Sequence, residues 1–135
     1  MNTDKDIAFG FMQALWTADF DAIDQMLGAD AKWYFQLGMP QAQEGRGRIW
    51  PAREAMRRVV DDLYGKFDPD GFAVTTTRVI ADGDSVAVEY EANGRTSAGL
   101  PYLNYYVTIL TVRDGKVVDV KPFNDTSQML KMLST

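Results

Sequence analysis

The sequence predicts an α+β domain in which N-terminal helices cover one face of a curved antiparallel sheet. Three observations predict it. Apolar residues recur at helical spacing over most of the chain up to Tyr64; from Phe72 onward, runs of Val, Ile, Thr and Tyr alternate with Asp-Gly turns; and YLNYYVTILTVRDGKVVDVKPFND, Tyr102 to Asp125, forms a long hairpin about Asp114-Gly115.

The elements follow in order. Thr3 caps a first helix with Asp4 and Asp6 in its opening turn, and Ile7, Ala8, Phe11, Met12, Leu15 and Trp16 form its apolar stripe. Asp19 caps a short second helix that carries Phe20, Ile23, Met26 and Leu27 and ends at Gly28. Ala31 to Leu37 reads as a strand stopped by Gly38 and Pro40, and Gln41 to Ile49 as a loop. A third helix runs from Trp50 or Pro51 to Tyr64, its buried stripe including Ala52, Ala55, Met56 and Val59. After a polar turn, Asp68 to Gly71, the strands Phe72–Ala81 and Ser85–Ala92 pair through Asp82-Gly83 and lead into the long hairpin. Asp125 or Thr126 then caps a closing helix with Met129, Leu130 and Leu133. The expected order is α-α-β-α-β-β-β-β-α in a single domain, 1–135.

Within the hairpin, alternation places Asn104, Tyr106, Thr108, Leu110 and Val112 on one face and Tyr105, Val107, Ile109 and Thr111 on the other. In the second arm, Val118, Val120, Pro122 and Asn124 are expected to share a face opposite Val117, Asp119, Lys121 and Phe123. The face holding Asn104, Tyr106 and Thr108 is expected to line a pocket. The opposite strip of Tyr105, Val107 and Ile109 is apolar enough to predict a homodimer through the outer sheet face.

Composition narrows the chemistry. With no Cys and no His in 135 residues, there is no thiolate nucleophile, disulfide, Cys/His zinc site or imidazole base. Acid–base work falls to Asp, Glu, Tyr, Lys or water. A net charge of -5 argues against nucleic acid as a partner. Neither a secretory leader nor a bilayer-length apolar run is visible, so the expected location is cytoplasmic, with no membrane partner. Asp68-Pro69-Asp70-Gly71 opens like a calcium loop but lacks the later ligands, so no metal is expected.

The element order, together with Ala81-Asp82-Gly83-Asp84, Asn104-Tyr105-Tyr106, Arg113-Asp114-Gly115-Lys116 and Phe123-Asn124-Asp125-Thr126, resembles the SnoaL-like polyketide cyclase and ketosteroid isomerase group of the nuclear transport factor 2-like superfamily. The resemblance covers essentially the whole chain. It implies a cone-shaped sheet wrapped round a long helix, open at one end to a small apolar ligand, and catalysis without a cofactor. It also locates what is missing. A ketosteroid isomerase uses a Tyr donor, an Asp base and a protonated Asp; by alignment these fall on Phe11, on Phe35 and near Thr108. The histidine of many relatives is absent, and Pro122 stands where many show Glu.

Tyr106 and Asn104 are the candidate catalytic groups, the phenol donating to a ligand carbonyl or enolate and the amide orienting ligand or water. Both also fit a plain structural reading in which each satisfies a buried polar neighbour. Phe11, Trp16, Trp33, Phe35, Trp50, Tyr90 and Tyr102, with Thr108, Val120 and Asn124, are the expected lining for a hydrophobic ligand. Arg46, in a glycine-containing loop with Arg48, is a candidate for a ligand carboxylate, while Arg57–Asp61 and Arg58–Asp62 read as ion pairs on a solvated helix face. Glu44 and Asp125 are the carboxylates placed best to act as a base, although Asp125 also reads as a cap. Three functions remain open: a cofactor-independent isomerase, cyclase or dehydratase, a binding protein with the same pocket, or a dimerisation module with a filled core.

Overall fold

The computed structural model describes residues 3–134, apart from the side chain of Pro69; residues 1, 2 and 135 of the expected domain lie outside it. The helices are α1 (Asp4–Trp16), α2 (Phe20–Met26), α3 (Ala52–Asp62) and α4 (Thr126–Leu133). The strands are β1 (Leu27–Tyr34), β2 (Ile49–Pro51), β3 (Phe67–Asp82), β4 (Ser85–Thr96), β5 (Pro101–Arg113) and β6 (Lys116–Asn124), and short 3₁₀ turns occupy Pro40–Gln43 and Tyr64–Lys66. They make one six-stranded sheet in the order β2-β1-β6-β5-β4-β3.

The sheet is mixed, which corrects the all-antiparallel expectation. β1 runs parallel to β6, while every other pair is antiparallel. Parallel neighbours need a long crossover, and here α3 and the whole β3–β5 meander supply it. Boundaries also move. α2 hands directly to β1 at Leu27, so Gly28 lies in a strand rather than ending a helix.

The polar turn expected at Asp68–Gly71 is instead a bulge inside β3, whose register with β4 jumps between Phe67↔Thr96 and Phe72↔Gly94. Asp68 Oδ1 accepts from the Asp70 amide there, closing the excursion locally. Gly94 makes the fit possible, because a Cβ at that position would lie 2.8 Å from the Gly71 carbonyl oxygen. A second bulge, at Thr77, is held by its hydroxyl on the Glu89 carbonyl and carboxylate. Such bulges bend a strand and raise its twist, which is how a long hairpin curls over helices.

A third bulge corrects the expected faces of β6. Register shifts between Thr111↔Asp119 and Val112↔Val117, leaving Val118 as the extra residue. Alternation resets across it, so Val117 and Val120 are both buried and Val118 is not. The turn that joins β5 to β6 forms as predicted, with Asp114 at φ 51 and Gly115 at φ 75.

Helix capping follows the sequence closely. Thr3 and Asp6 form a reciprocal capping box, Asp19 accepts from the Ala22 amide, and Asp125 caps α4 through the Ser127 amide. α1 buries Ala8, Phe11, Met12 and Leu15 against the inner faces of β3 to β6. On β5 the inner face is Tyr102, Asn104, Tyr106, Thr108, Leu110 and Val112, every one buried. α3 packs on β1, and its C-terminus at Asp62 meets α1, β3 and α4 around a space the core does not fill.

Candidate functional site

That space is a cavity of about 760 Å³ counted out through its mouth, of which about 60 Å³ admits the centres of water molecules. The interior is therefore narrow and slot-like rather than roomy. Leu15 and Trp16 of α1 form one side; Trp33 and Phe35 come from β1 and the residue just beyond it; Phe67, Phe72 and Val74 come from β3. Tyr90, Ala92 and Tyr106 supply the sheet wall, and Met129 and Leu133 of α4 close the far end.

Tyr90 and Tyr106 sit opposite each other across β4 and β5, with ring centroids 4.9 Å apart and planes within 5°. Alternation in two paired strands dictates this stack, since both residues point inward at the same rung. The Tyr90 hydroxyl is 3.0 Å from Thr108 Oγ1. The Tyr106 hydroxyl is 2.5 Å from that of Tyr102, which accepts a 2.8 Å hydrogen bond from Asn104 Nδ2. An amide donor thus feeds a phenol that can in turn donate to Tyr106, which frees the Tyr106 proton for a further acceptor.

Seven of the thirteen sequence candidates lie behind the lining instead of in it. Asn104 is 1% exposed, and both ends of its amide are engaged: Oδ1 accepts from the Tyr105 and Asp125 amides, and Nδ2 donates to Tyr102 and the Asp125 carbonyl. With no polar atom to spare for a ligand, it braces the junction of β5, β6 and α4. Thr108 and Tyr102 support Tyr90 and Tyr106 from behind. Phe11 and Val120 are wholly buried in the core. Trp50 packs edge-on to Phe35 at 5.1 Å and donates to the Gly47 carbonyl, so it backs the wall. Arg46 lies over Trp50 at 3.9 Å with both terminal nitrogens on Glu54, which spends the charge reserved for a ligand carboxylate. Trp16, Trp33, Phe35, Tyr90, Tyr106 and Asn124 do reach the cavity. Asn124 is itself tied by its side-chain nitrogen to Gln36 Oε1.

Neither carboxylate favoured by the sequence enters. Glu44 is bound by Arg58 in two hydrogen bonds that hold its carboxyl below the usual range, and the Ser127 hydroxyl does the same to Asp125 at the cap of α4. The carboxylate that does line the cavity is Asp62. Its Oδ2 accepts from Arg58 Nε at 3.1 Å and from Gln41 Nε2 at 3.0 Å, and Oδ1 accepts no hydrogen bond among the described residues. The expected Arg58–Asp62 pair exists, yet Asp62 is the last residue of α3 and faces both ways. Gln41 was hidden in what read as a loop; Pro40 starting a 3₁₀ turn is the signal that would have found it.

Burial dominates the titration of the phenols. It pushes Tyr90 up to about 12, partly offset by Thr108 and Trp16, and raises Tyr64, Tyr102 and Tyr106 as well. These groups stay neutral donors across the physiological range. The unfolded chain releases their protons near pH 10, before the folded chain does, so their contribution to stability is whole below about pH 10 and drains away as pH rises through the folded values. Denaturant midpoints measured from neutral to strongly alkaline pH should fall steeply above about pH 10. A level midpoint there contradicts this burial of phenols.

A profile of the SnoaL-like domain matches residues 9–120, most of the chain. The chain belongs to the SnoaL-like domain family. YesE of Bacillus subtilis (strain 168), an uncharacterised protein, is 26% identical over 85 residues, which span 62% of this chain and 58% of YesE. Among solved structures, IdmH of Streptomyces antibioticus, a proposed polyketide cyclase, superposes with a TM-score of 0.81 at 23% identity, covering 99% of this chain and 100% of IdmH. TerC, co-crystallised with polyporic acid, gives a TM-score of 0.78 at 17% identity, covering 98% of this chain and 100% of TerC. These structural likenesses establish the α+β fold shared by SnoaL-like domains. No helix among the described residues is long and apolar enough to cross a membrane.

Proposed function

We propose that this SnoaL-like chain is a cofactor-independent enzyme of the isomerase, cyclase or dehydratase type, acting on a hydrophobic carbonyl compound held in the cavity. The observation that carries the reading is that the lining of one largely aromatic and apolar cavity includes both a neutral phenol, Tyr106, backed by Tyr102 and Asn104, and the Asp62 carboxylate. In the step this supports, Asp62 takes a proton from the carbon beside the carbonyl. The C–H electron pair becomes the enolate double bond and shifts charge to oxygen, where the Tyr106 hydroxyl donates to it. Asp62 then returns the proton to another carbon in an isomerisation, or protonates the alkoxide formed when the enolate carbon attacks a second carbonyl. Apolar walls exclude water from the enolate, and Asn104 acts only through Tyr102, as a positioning residue.

A binding protein is the second reading. It is favoured by the Arg58 and Gln41 contacts that occupy one Asp62 oxygen and by an otherwise neutral lining. Proton NMR of 2-tetralone in D2O separates the two, since this bicyclic ketone has exchangeable hydrogens beside its carbonyl. The enzyme reading predicts α-deuteration faster than in buffer alone. Broadened ring signals without added exchange replace it with the binding reading.

The outer sheet face supports a second copy of this chain as partner. Tyr105 is 63% exposed, and Leu103, Ile109 and Phe123 join it in one apolar patch on β5 and β6. The patch lies on the two central strands of the sheet, and a two-fold axis there would set the same residues of both copies face to face. Sedimentation velocity should give a homodimer at micromolar concentration and a monomer for the Tyr105→Arg, Ile109→Lys variant. A monomeric wild type contradicts the interface.

A further inference from the structure

The segment between β1 and β2, residues 39–47, is held unlike the rest of the cavity wall. It contributes Met39 and Gln41 to the lining, at 8% and 3% exposure, and so closes part of the slot. Helices and paired strands carry most of the other lining residues on backbone ladders. Here the backbone hydrogen bonds are local, from the Met39 amide to the Gln36 carbonyl and from the Ala42 amide to the Met39 carbonyl. Among the described residues, every hydrogen bond that ties the segment to α3 runs through side chains. Gln41 Nε2 donates to Asp62 at 3.0 Å, Glu44 accepts two bonds from Arg58 at 3.0 and 2.7 Å, and Arg46 gives two to Glu54 at 3.0 and 2.8 Å.

Such ties break readily. The side chains of the two ion pairs are 36% to 49% exposed, where water competes for them and salt screens them. Gly45 and Gly47 take the left-handed φ angles of 88 and 80, and no packed atom lies within 4 Å of where a Cβ would sit on either. The two ends, in contrast, are pinned. Gln36 Oε1 accepts from the Asn124 amide and side chain, and the Trp50 indole donates to the Gly47 carbonyl.

Only about 60 Å³ of the cavity admits the centres of water molecules, so a flat two-ring molecule enters where a wall yields. We propose that residues 39–47 form a strap that lifts from α3 to admit the ligand and closes over it, with Glu44–Arg58 and Arg46–Glu54 as its clasp. Closure also returns the Gln41 amide to Asp62, which couples access to the arrangement of that carboxylate. This rests on the proposed cavity ligand but not on turnover.

Stopped-flow tryptophan fluorescence with 2-tetralone reads both rates, because Trp16 and Trp33 line the cavity. Glu44→Gln with Glu54→Gln removes both ion pairs and leaves every lining side chain in place. Association and dissociation should each quicken about tenfold, with Kd held within about threefold. Wild type in about 1 M salt should move the same way, and the variant should then change little. The opposite change is available because the chain has no cysteine. Arg46→Cys with Glu54→Cys, bridged by a short bis-methanethiosulfonate, pins the strap down, and association should be slower by about tenfold or more than in the same protein after dithiothreitol. Association unchanged in the Gln variant, or unchanged by the bridge, overturns the strap even if wild type binds and exchanges 2-tetralone. Weaker affinity with no gain in association rate overturns it as well, because the pairs then only support a fixed wall. Failure of 2-tetralone to bind wild type overturns the strap and the cavity reading together.

Discussion

Tyr106→Phe should lower enzyme-promoted deuteration of 2-tetralone by about 10²–10³-fold while the protein stays folded. As the proton leaves carbon, negative charge builds on the carbonyl oxygen inside an apolar slot, where a fixed donor is worth far more than it is in water. Tyr106 is the phenol that both lines the slot and receives support from a chain of donors. Its pKa is raised chiefly by burial, so the hydroxyl keeps its proton through neutral pH and remains a donor. Phenylalanine preserves the stack on Tyr90 and removes only the hydroxyl. Loss of the hydrogen bond to Tyr102 costs about 1 kcal/mol of stability, too little to unfold a domain of this size. Retained binding with lost exchange supports the assigned role; unchanged exchange removes it.

Asp62→Asn should abolish exchange to a comparable degree, about 10²–10⁴-fold, because an amide cannot take a proton from carbon. The substitution keeps shape and can still accept from Gln41 and Arg58 through its oxygen, so the cavity wall should survive. Binding of 2-tetralone, read by fluorescence, should change little. Arg58 is the control for a merely structural effect. Arg58→Gln removes the ion pairs to Glu44 and Asp62, yet leaves the carboxylate in place, so exchange should persist. Exchange that is intact in Asp62→Asn assigns the base elsewhere.

How much of this was legible in the sequence depends on the range of the interaction. Caps, turns and the faces of β5 are local matters, and Thr3, Asp19, Asp125, Asp114-Gly115 and the inward set from Asn104 to Val112 announce themselves through short-range chemistry. Bulges are not local. Val117 turns inward because β6 carries one residue more than β5 between two rungs, and nothing in its own neighbours declares that. The parallel pairing of β1 with β6 is similarly a consequence of where a long crossover returns.

The site divides along the same line. Tyr106 and Tyr90 could be assigned to the inner face from alternation, and the aromatic character of Trp33 and Phe35 pointed to a wall. Whether an inward residue touches the cavity or stands behind it is decided by packing depth. Asn104, Thr108 and Tyr102 share a face with Tyr106 and yet only brace it. Asp62 looked complete as the i,i+4 partner of Arg58, and only the end of α3 at that residue turns it toward the slot. Gln41 matters through one hydrogen bond to Asp62, across 21 positions of sequence, which no pattern in its own loop encodes.

On the proposed function, the cavity lined by Tyr90, Tyr106 and Trp33 grips a flat carbonyl compound through the Tyr106 hydroxyl. A crystal structure of the protein soaked with 2-tetralone tests it most directly. Density for the bicyclic ring is expected inside the cavity, with the ketone oxygen within about 3 Å of the Tyr106 oxygen. An empty or collapsed slot, or a ring bound there with its ketone turned away from Tyr106, contradicts it.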